Sequence, residues 1–140
     1  ITYNPDFSRN LFSSWSKKGK IYIITGTPEK NCEEVISTLE ILGFSGLYSG
    51  IIYGFEYSKK EMDHNHFIRM RSHKLKVIQE KKIDIYFDDN PYYVEYIRNH
   101  GVTVFQTVLS DLYMEDFGKK DPYFTSNLQK NQFLYLDKNE

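Results

Sequence analysis

Cysteine occurs once, as Cys32, so no disulfide can close within the chain, and a reducing compartment suits such a protein. Long hydrophobic runs are missing too. No apolar stretch approaches the roughly 20 residues needed to span a bilayer, and no secretory signal pattern is present. No Asn stands in a glycosylation sequence. Together these absences predict a cytoplasmic protein without a membrane partner. A strong charge of either sign is lacking, with a formal net charge of -1, so no global field draws nucleic acid or an anionic surface. Proline (4) and glycine (8) are few, and no low-complexity linker divides the chain. The expectation is therefore a single domain over residues 1–140, with a core to about 105 and an extension over 106–140. What the chain has in plenty is aromatic side chains. Its 12 Tyr and 10 Phe make up 16% of the residues, which argues for a packed core and against disorder. The first residue is Ile1, not Met, and a preceding segment is expected to belong to the protein.

Short apolar runs alternate with helical patterns. Asn4-Pro5 opens a helix with Phe7, Leu11, Phe12 and Trp15 on one side, closing near Gly19. Ile21 to Thr25 reads as a buried strand. After it, Thr27 can cap and Pro28 can begin a helix that runs to Leu42 and ends at Gly43. A strand centred on Ile51-Ile52-Tyr53 follows. The polar stretch Lys59 to Arg71 reads as a loop or short insertion, after which Ser72 caps a helix to Lys82. Ile83 to Phe87 is a strand suited to cover on both faces. Asn90 and Pro91 then start a helix ending near Gly101, and Val102 to Phe105 makes a further strand. Phe133 to Leu136 is a candidate edge strand. The alternation predicts an α/β fold, a parallel sheet with helices on both faces. Ligands of such sheets bind beyond the carboxyl ends of the strands.

Three features fall at those ends. Asp88 and Asp89 close one strand, and two like charges so close call for a positive partner, a hard divalent cation being the obvious one. The plainer reading makes them turn formers before Asn90-Pro91, and the stretch alone supports both equally. Thr25-Gly26 closes the first strand with a hydroxyl and backbone N–H groups suited to an oxyanion. Lys74 shares a helical face with Leu75 and Ile78, so it points inward as a phosphate clamp or a counter-charge for carboxylates. Lys76, on the opposite side, reads as a solvated charge. Asp63, His64 and His66 invite a metal reading, although two histidines in a polar stretch are more commonly solvated.

Taken together, these residues resemble the haloacid dehalogenase-like (HAD) phosphohydrolases, over about Ile1 to Phe105. Ile23-Ile24-Thr25-Gly26-Thr27-Pro28 is similar to the second motif of that family, Lys74 to the third, and Phe87-Asp88-Asp89-Asn90-Pro91 to the fourth. The resemblance implies a three-layer α/β/α Rossmann-like fold and a Mg²⁺-dependent phosphatase that passes through an aspartyl-phosphate. It further implies that Thr25 and the Gly26 N–H hold the transferring phosphoryl group and that Lys74 neutralises it. Asp89, with Asp88, would bind Mg²⁺. Many members have Arg where Thr27 stands. The first motif, Asp-x-Asp-Gly-Thr on the first strand, is absent, and in the family it supplies nucleophile and general acid/base. It is commonly followed by residues much like Ile1-Thr2-Tyr3-Asn4-Pro5, so the nucleophile is expected upstream of Ile1. Asp6 and Asp84 do not replace it, the one lying in a first helical turn and the other mid-strand.

Two further expectations concern partners. The stretch from Glu56 to Arg71 is too short for a separate cap domain, which leaves the site edge open to a phosphate carried on something large. Lys59, Arg69 and Arg71 would steer such an anionic partner. The alternative to an enzyme is an inactive HAD-like domain that binds phosphate or a partner without turnover. A receiver-type signalling domain is excluded by motif order, since there the acidic pair comes first and the Lys last.

Overall fold

A computed structural model of the chain describes residues 6–107. The protein is α/β, and its strands form two parallel pairs. By compactness the chain divides between Val77 and Ile78. The stretch 1–5 that was read as opening the first helix, and the candidate strand at 133–136, lie outside the described residues.

The unit up to Val77 begins with α1 (Asp6–Ser16), then β1 (Tyr22–Pro28), α2 (Cys32–Ile41), β2 (Gly50–Gly54) and most of α3 (His64–Glu80). β1 and β2 run parallel, with Tyr22 opposite Gly50 and Ile24 opposite Ile52. Parallel neighbours need a crossover, and α2 is that crossover. Gly43 stops α2 with a left-handed φ of 85°, and the Phe44 N–H reaches back to the Leu39 carbonyl at 2.8 Å, the bonding that closes a Schellman-type end. Arg9 of α1 donates to the Leu42 carbonyl at 2.7 Å, placing a cation where the α2 dipole is negative. Phe12 meets Phe44 edge-on at 5.0 Å beside it. Phe44, Phe67, Met70, Leu75 and Val77 are the buried apolar side chains of this unit.

Two stretches of this unit differ from the sequence reading. β1 does not stop at Thr25 but continues to Pro28, which leads into a short 3-10 helix, Glu29–Asn31, before α2. Thr27 therefore caps nothing; its N–H instead donates to the Thr25 hydroxyl oxygen at 3.1 Å. The polar stretch before Ser72 is not a loop: it folds into a 3-10 helix, Lys59–Glu61, and the first two turns of α3. Asp63 starts α3 by accepting the His66 N–H at 3.0 Å, as an N-cap residue does for the third helical residue. Ser72 sits in mid-helix, its hydroxyl turned back to the Ile68 carbonyl at 3.0 Å.

The unit from Ile78 on is a second β-α-β element, made of β3 (Ile85–Asp88), α4 (Pro91–Asn99) and β4 (Thr103–Gln106). β3 and β4 are parallel, with Ile85 opposite Thr103 and Asp88 opposite Gln106. α3 ends with Lys82 at φ 54°, and the Ile83 N–H bonds back to the Ile78 carbonyl at 2.9 Å. Asn90 caps α4 as expected, its side chain accepting the Tyr92 N–H at 2.9 Å, and Pro91 occupies the first turn. Ile78, Tyr86, Tyr93, Val94 and Ile97 are its buried apolar side chains. β3 is not covered on both faces, in contrast to the sequence reading. Tyr86 and Asp88 are buried while Ile85 and Phe87 are each 41% exposed, the alternation of a strand whose faces differ.

Candidate functional site

Thr25, Gly26 and Lys74 lie in the first unit, Thr25 and Gly26 at the carboxyl end of its sheet and Lys74 on α3. The β1–β2 ladder keeps register from Tyr22 to Ile24, loses it, and recovers it at Pro28 opposite Gly54. The intervening Thr25-Gly26-Thr27 segment bulges. The Gly26 backbone presses onto β2 so closely that a Cβ on Gly54 would stand 2.3 Å from the Gly26 carbonyl oxygen. On its other side Gly26 meets α3: a Cβ there would lie 3.3 Å from Met70 Cε. Glycine is needed at Gly54, where backbone meets backbone with no room for another carbon; at Gly26 the end of the Met70 side chain would have to give by a few tenths of an ångström.

α3 is held at this strand end twice. Met70 backs Gly26, and the His73 ring bonds the Tyr53 carbonyl at 3.0 Å. Lys74 follows Met70 by four residues and so shares its helical face. It is only 8% exposed, whereas Lys76 is exposed, as the sequence reading had it for both. Lys74 is not near a helix start, though, because α3 begins at His64 and it falls in the third turn. Thr25 is half-buried. Its hydroxyl oxygen already accepts from Thr27, and a hydroxyl in that role keeps its own proton to donate.

Asp88 and Asp89 lie in the second unit, at the carboxyl end of β3. Their surroundings differ. Asp88 is 9% exposed and takes part in a local bonding scheme. One of its oxygens accepts the Tyr86 hydroxyl and the other the Asn90 N–H at 3.0 Å, while its carbonyl accepts the Thr107 N–H at 3.1 Å. Burial, followed by the Asp88 and Asp89 charges, holds the Tyr86 phenol far above its ordinary range, so it remains a donor. Asp88 thus forms the turn that delivers Asn90 to its capping position, and the turn-former reading fits it. Asp89 is half-buried. Among the described residues, no group of three or more His, Cys, Asp and Glu side chains is gathered as a metal cage. Mg²⁺ does not require one, since it is commonly held by one or two carboxylates together with water and substrate phosphate.

The residues that the sequence reading passed over are Met70, Tyr86 and His73. Phe67, Met70, Lys74, Leu75 and Ile78 recur at helical spacing, a signal that extends α3 well upstream of Ser72. His64 is exposed and His66 buried, with Asp63 committed to the helix start, so these three do not form the metal group considered for them. No helix among the described residues is long and apolar enough to cross a membrane. Set against family models, curated proteins and solved structures, the chain matches none of them.

Proposed function

We propose that the chain carries the larger part of a Mg²⁺-dependent phosphohydrolase of the HAD-like type, with a three-layer α/β/α fold and an open site edge. The observation that supports it best is the Gly26–Met70–Lys74 arrangement. A buried lysine sits on the helix face that backs a tight, hydroxyl-bearing turn at a parallel strand end. In this reading a phosphoryl group held by Thr25 and the Gly26 N–H is the anion that Lys74 serves. In this reading the Thr25 hydroxyl donates to a phosphoryl oxygen while its own oxygen is fixed by Thr27. Lys74 offsets the charge that builds on those oxygens as the bond to the leaving group breaks. The attacking Asp belongs to a strand upstream of Ile1. Asp89, with Asp88, would hold Mg²⁺, and such an ion would supply charge neutralisation for phosphoryl transfer. The substrate is a phosphorylated compound, and the open edge admits one presented on a macromolecule.

The test is a phosphatase screen, with and without Mg²⁺, on the protein extended upstream of Ile1. Turnover of at least one phosphate ester that is abolished by chelation is expected, and Lys74→Met should lower kcat/KM by about a hundredfold. An extended protein that contains an Asp-x-Asp segment yet hydrolyses nothing would instead support the inactive, phosphate-binding domain. Turnover unaffected by Lys74→Met would remove the lysine from the site.

A further inference from the structure

Outside the proposed site, the imidazole of His66 is a closely enclosed titratable group. It is 4% exposed, and its Nδ1 is buried with no hydrogen-bond partner. Aromatic rings surround it. Tyr57 lies at 4.3 Å between centroids, Phe67 at 5.3 Å and Phe55 at 5.5 Å. Phe55 is itself overlaid by the Arg69 guanidinium at 4.2 Å. The cage joins three successive pieces of chain. Phe55 and Tyr57 leave the carboxyl end of β2, the 3-10 helix 59–61 follows, and His66, Phe67 and Arg69 belong to the first turns of α3.

A neutral ring fits such a cage; an imidazolium does not. Protonation would leave a charged N–H at Nδ1 with no acceptor, among hydrocarbon edges, which is among the more expensive things a protein interior can hold. The charged groups facing the ring do not reverse this. Arg69, from α3, opposes a second positive charge, while Asp63 at the helix cap and Glu61 from the 3-10 helix favour one. Tyr57, from the segment after β2, is neutral, its phenol pushed up by burial. Desolvation is the largest influence, Arg69 adds to it, and Asp63 and Glu61 only partly oppose them, so the ring titrates below its ordinary value.

We propose that His66 is an acid-sensitive latch: protonation opens the Phe55–Arg69 segment at the carboxyl end of the β1–β2 sheet, while neutral His66 holds it closed. The sign follows from linkage. A ring that binds its proton more weakly when closed than when open contributes stability that is complete above the open-state value of 6.5. That stability falls as pH drops below this value, by at most about tenfold in the closed-to-open ratio per pH unit, until the closed form titrates as well.

Hydrogen exchange and proton NMR on the whole chain test this. After correction for intrinsic exchange rates, protection of amides within 55–69 should fall as pH is lowered from 7 to 5. The His66 ring resonance should titrate below the ordinary imidazole value of 6.5. His66→Phe, which keeps an aromatic ring without a titrating proton, should flatten the pH dependence of those amides. A His66 resonance that titrates at or above 6.5 would overturn the proposal, and so would an unchanged pH dependence in His66→Phe. Should that variant fail to fold, the titration of the native ring decides alone.

Discussion

Asp89→Asn is expected to leave the chain as stable as the parent and to remove most Mg²⁺-dependent hydrolysis from the upstream-extended protein, a loss of about 10²–10³-fold in kcat. Asp88→Asn should do the reverse in large measure. The two side chains are neighbours in sequence but not in circumstance. Asp88 accepts from the Tyr86 hydroxyl on one oxygen and from the Asn90 N–H on the other. An amide in its place has one acceptor and one donor group, so one of these buried donors must face an NH₂. Stranding a buried polar group costs about 1–3 kcal/mol, and the turn into α4 should loosen with it. Asp88→Asn is therefore expected to lower the unfolding free energy by about 2 kcal/mol and to weaken Mg²⁺ only modestly. Urea unfolding and Mg²⁺ titration calorimetry on both variants separate the two effects. Equal Mg²⁺ affinity in both variants and the parent would show that neither carboxylate holds the ion.

The largest loss of stability is expected at a residue with no side chain. In Gly54→Ala the new methyl group would stand 2.3 Å from the Gly26 carbonyl oxygen and 2.8 Å from its carbon. Both obstacles are backbone, so no rotamer change relieves them. Either β2 withdraws from the Thr25-Gly26-Thr27 bulge or the bulge shifts toward Met70, which is itself buried. Overpacking of this kind costs about 1–3 kcal/mol and sometimes more, and a backbone-on-methyl clash belongs at the upper end. Gly54→Ala should thus lose about 3 kcal/mol. Gly19→Ala is the matched control, since nothing lies within 4 Å of its added Cβ. A loss below about 1 kcal/mol at Gly54, measured by urea unfolding, would mean the two backbones are free to separate.

Much of the architecture was legible because it rests on short-range rules. Ile51-Ile52-Tyr53 announced β2, Gly43 the end of α2, and Asn90-Pro91 the start of α4, each through local backbone chemistry. The misreadings came where two local signals competed. Asp63-His64-Asn65-His66 looks like a solvated loop by composition, yet Asp63 is a helix cap and His66 a core residue. Ring contacts with Phe55 and Tyr57, on the segment that follows β2, put His66 in the core. Thr27-Pro28 carries a helix-start pattern, but ladder pairing of Pro28 with Gly54 drew both residues into the strand. At the site, the inward course of Lys74 was readable from its spacing to Leu75 and Ile78. That Met70 would buttress Gly26 was not, because contact between a strand end and a later helix leaves no periodic trace. The unequal roles of Asp88 and Asp89 were likewise hidden, since both donors to Asp88 become apparent only once the turn is formed.

The two crossovers differ in what they bring to folding. Parallel strands cannot zip outward from a hairpin, so each pair must first close a long stretch of chain, Tyr22 to Gly50 in one case and Ile85 to Thr103 in the other. The entropic difference between loops of those lengths is under about 1 kcal/mol and does not set an order. The helices do. α4 carries four buried residues, Pro91, Tyr93, Val94 and Ile97, whereas α2 has none. Collapse of α4 onto its own strands therefore rewards closure at once, and α2 offers no such immediate return. The β3-α4-β4 element is expected to nucleate, with φ-values at Val94 and Ile97 well above those at Val35 and Leu39; the opposite ranking would put the nucleus in the first sheet. Mutations that slow folding should then cluster beyond Ile78, and those that merely hasten unfolding before it.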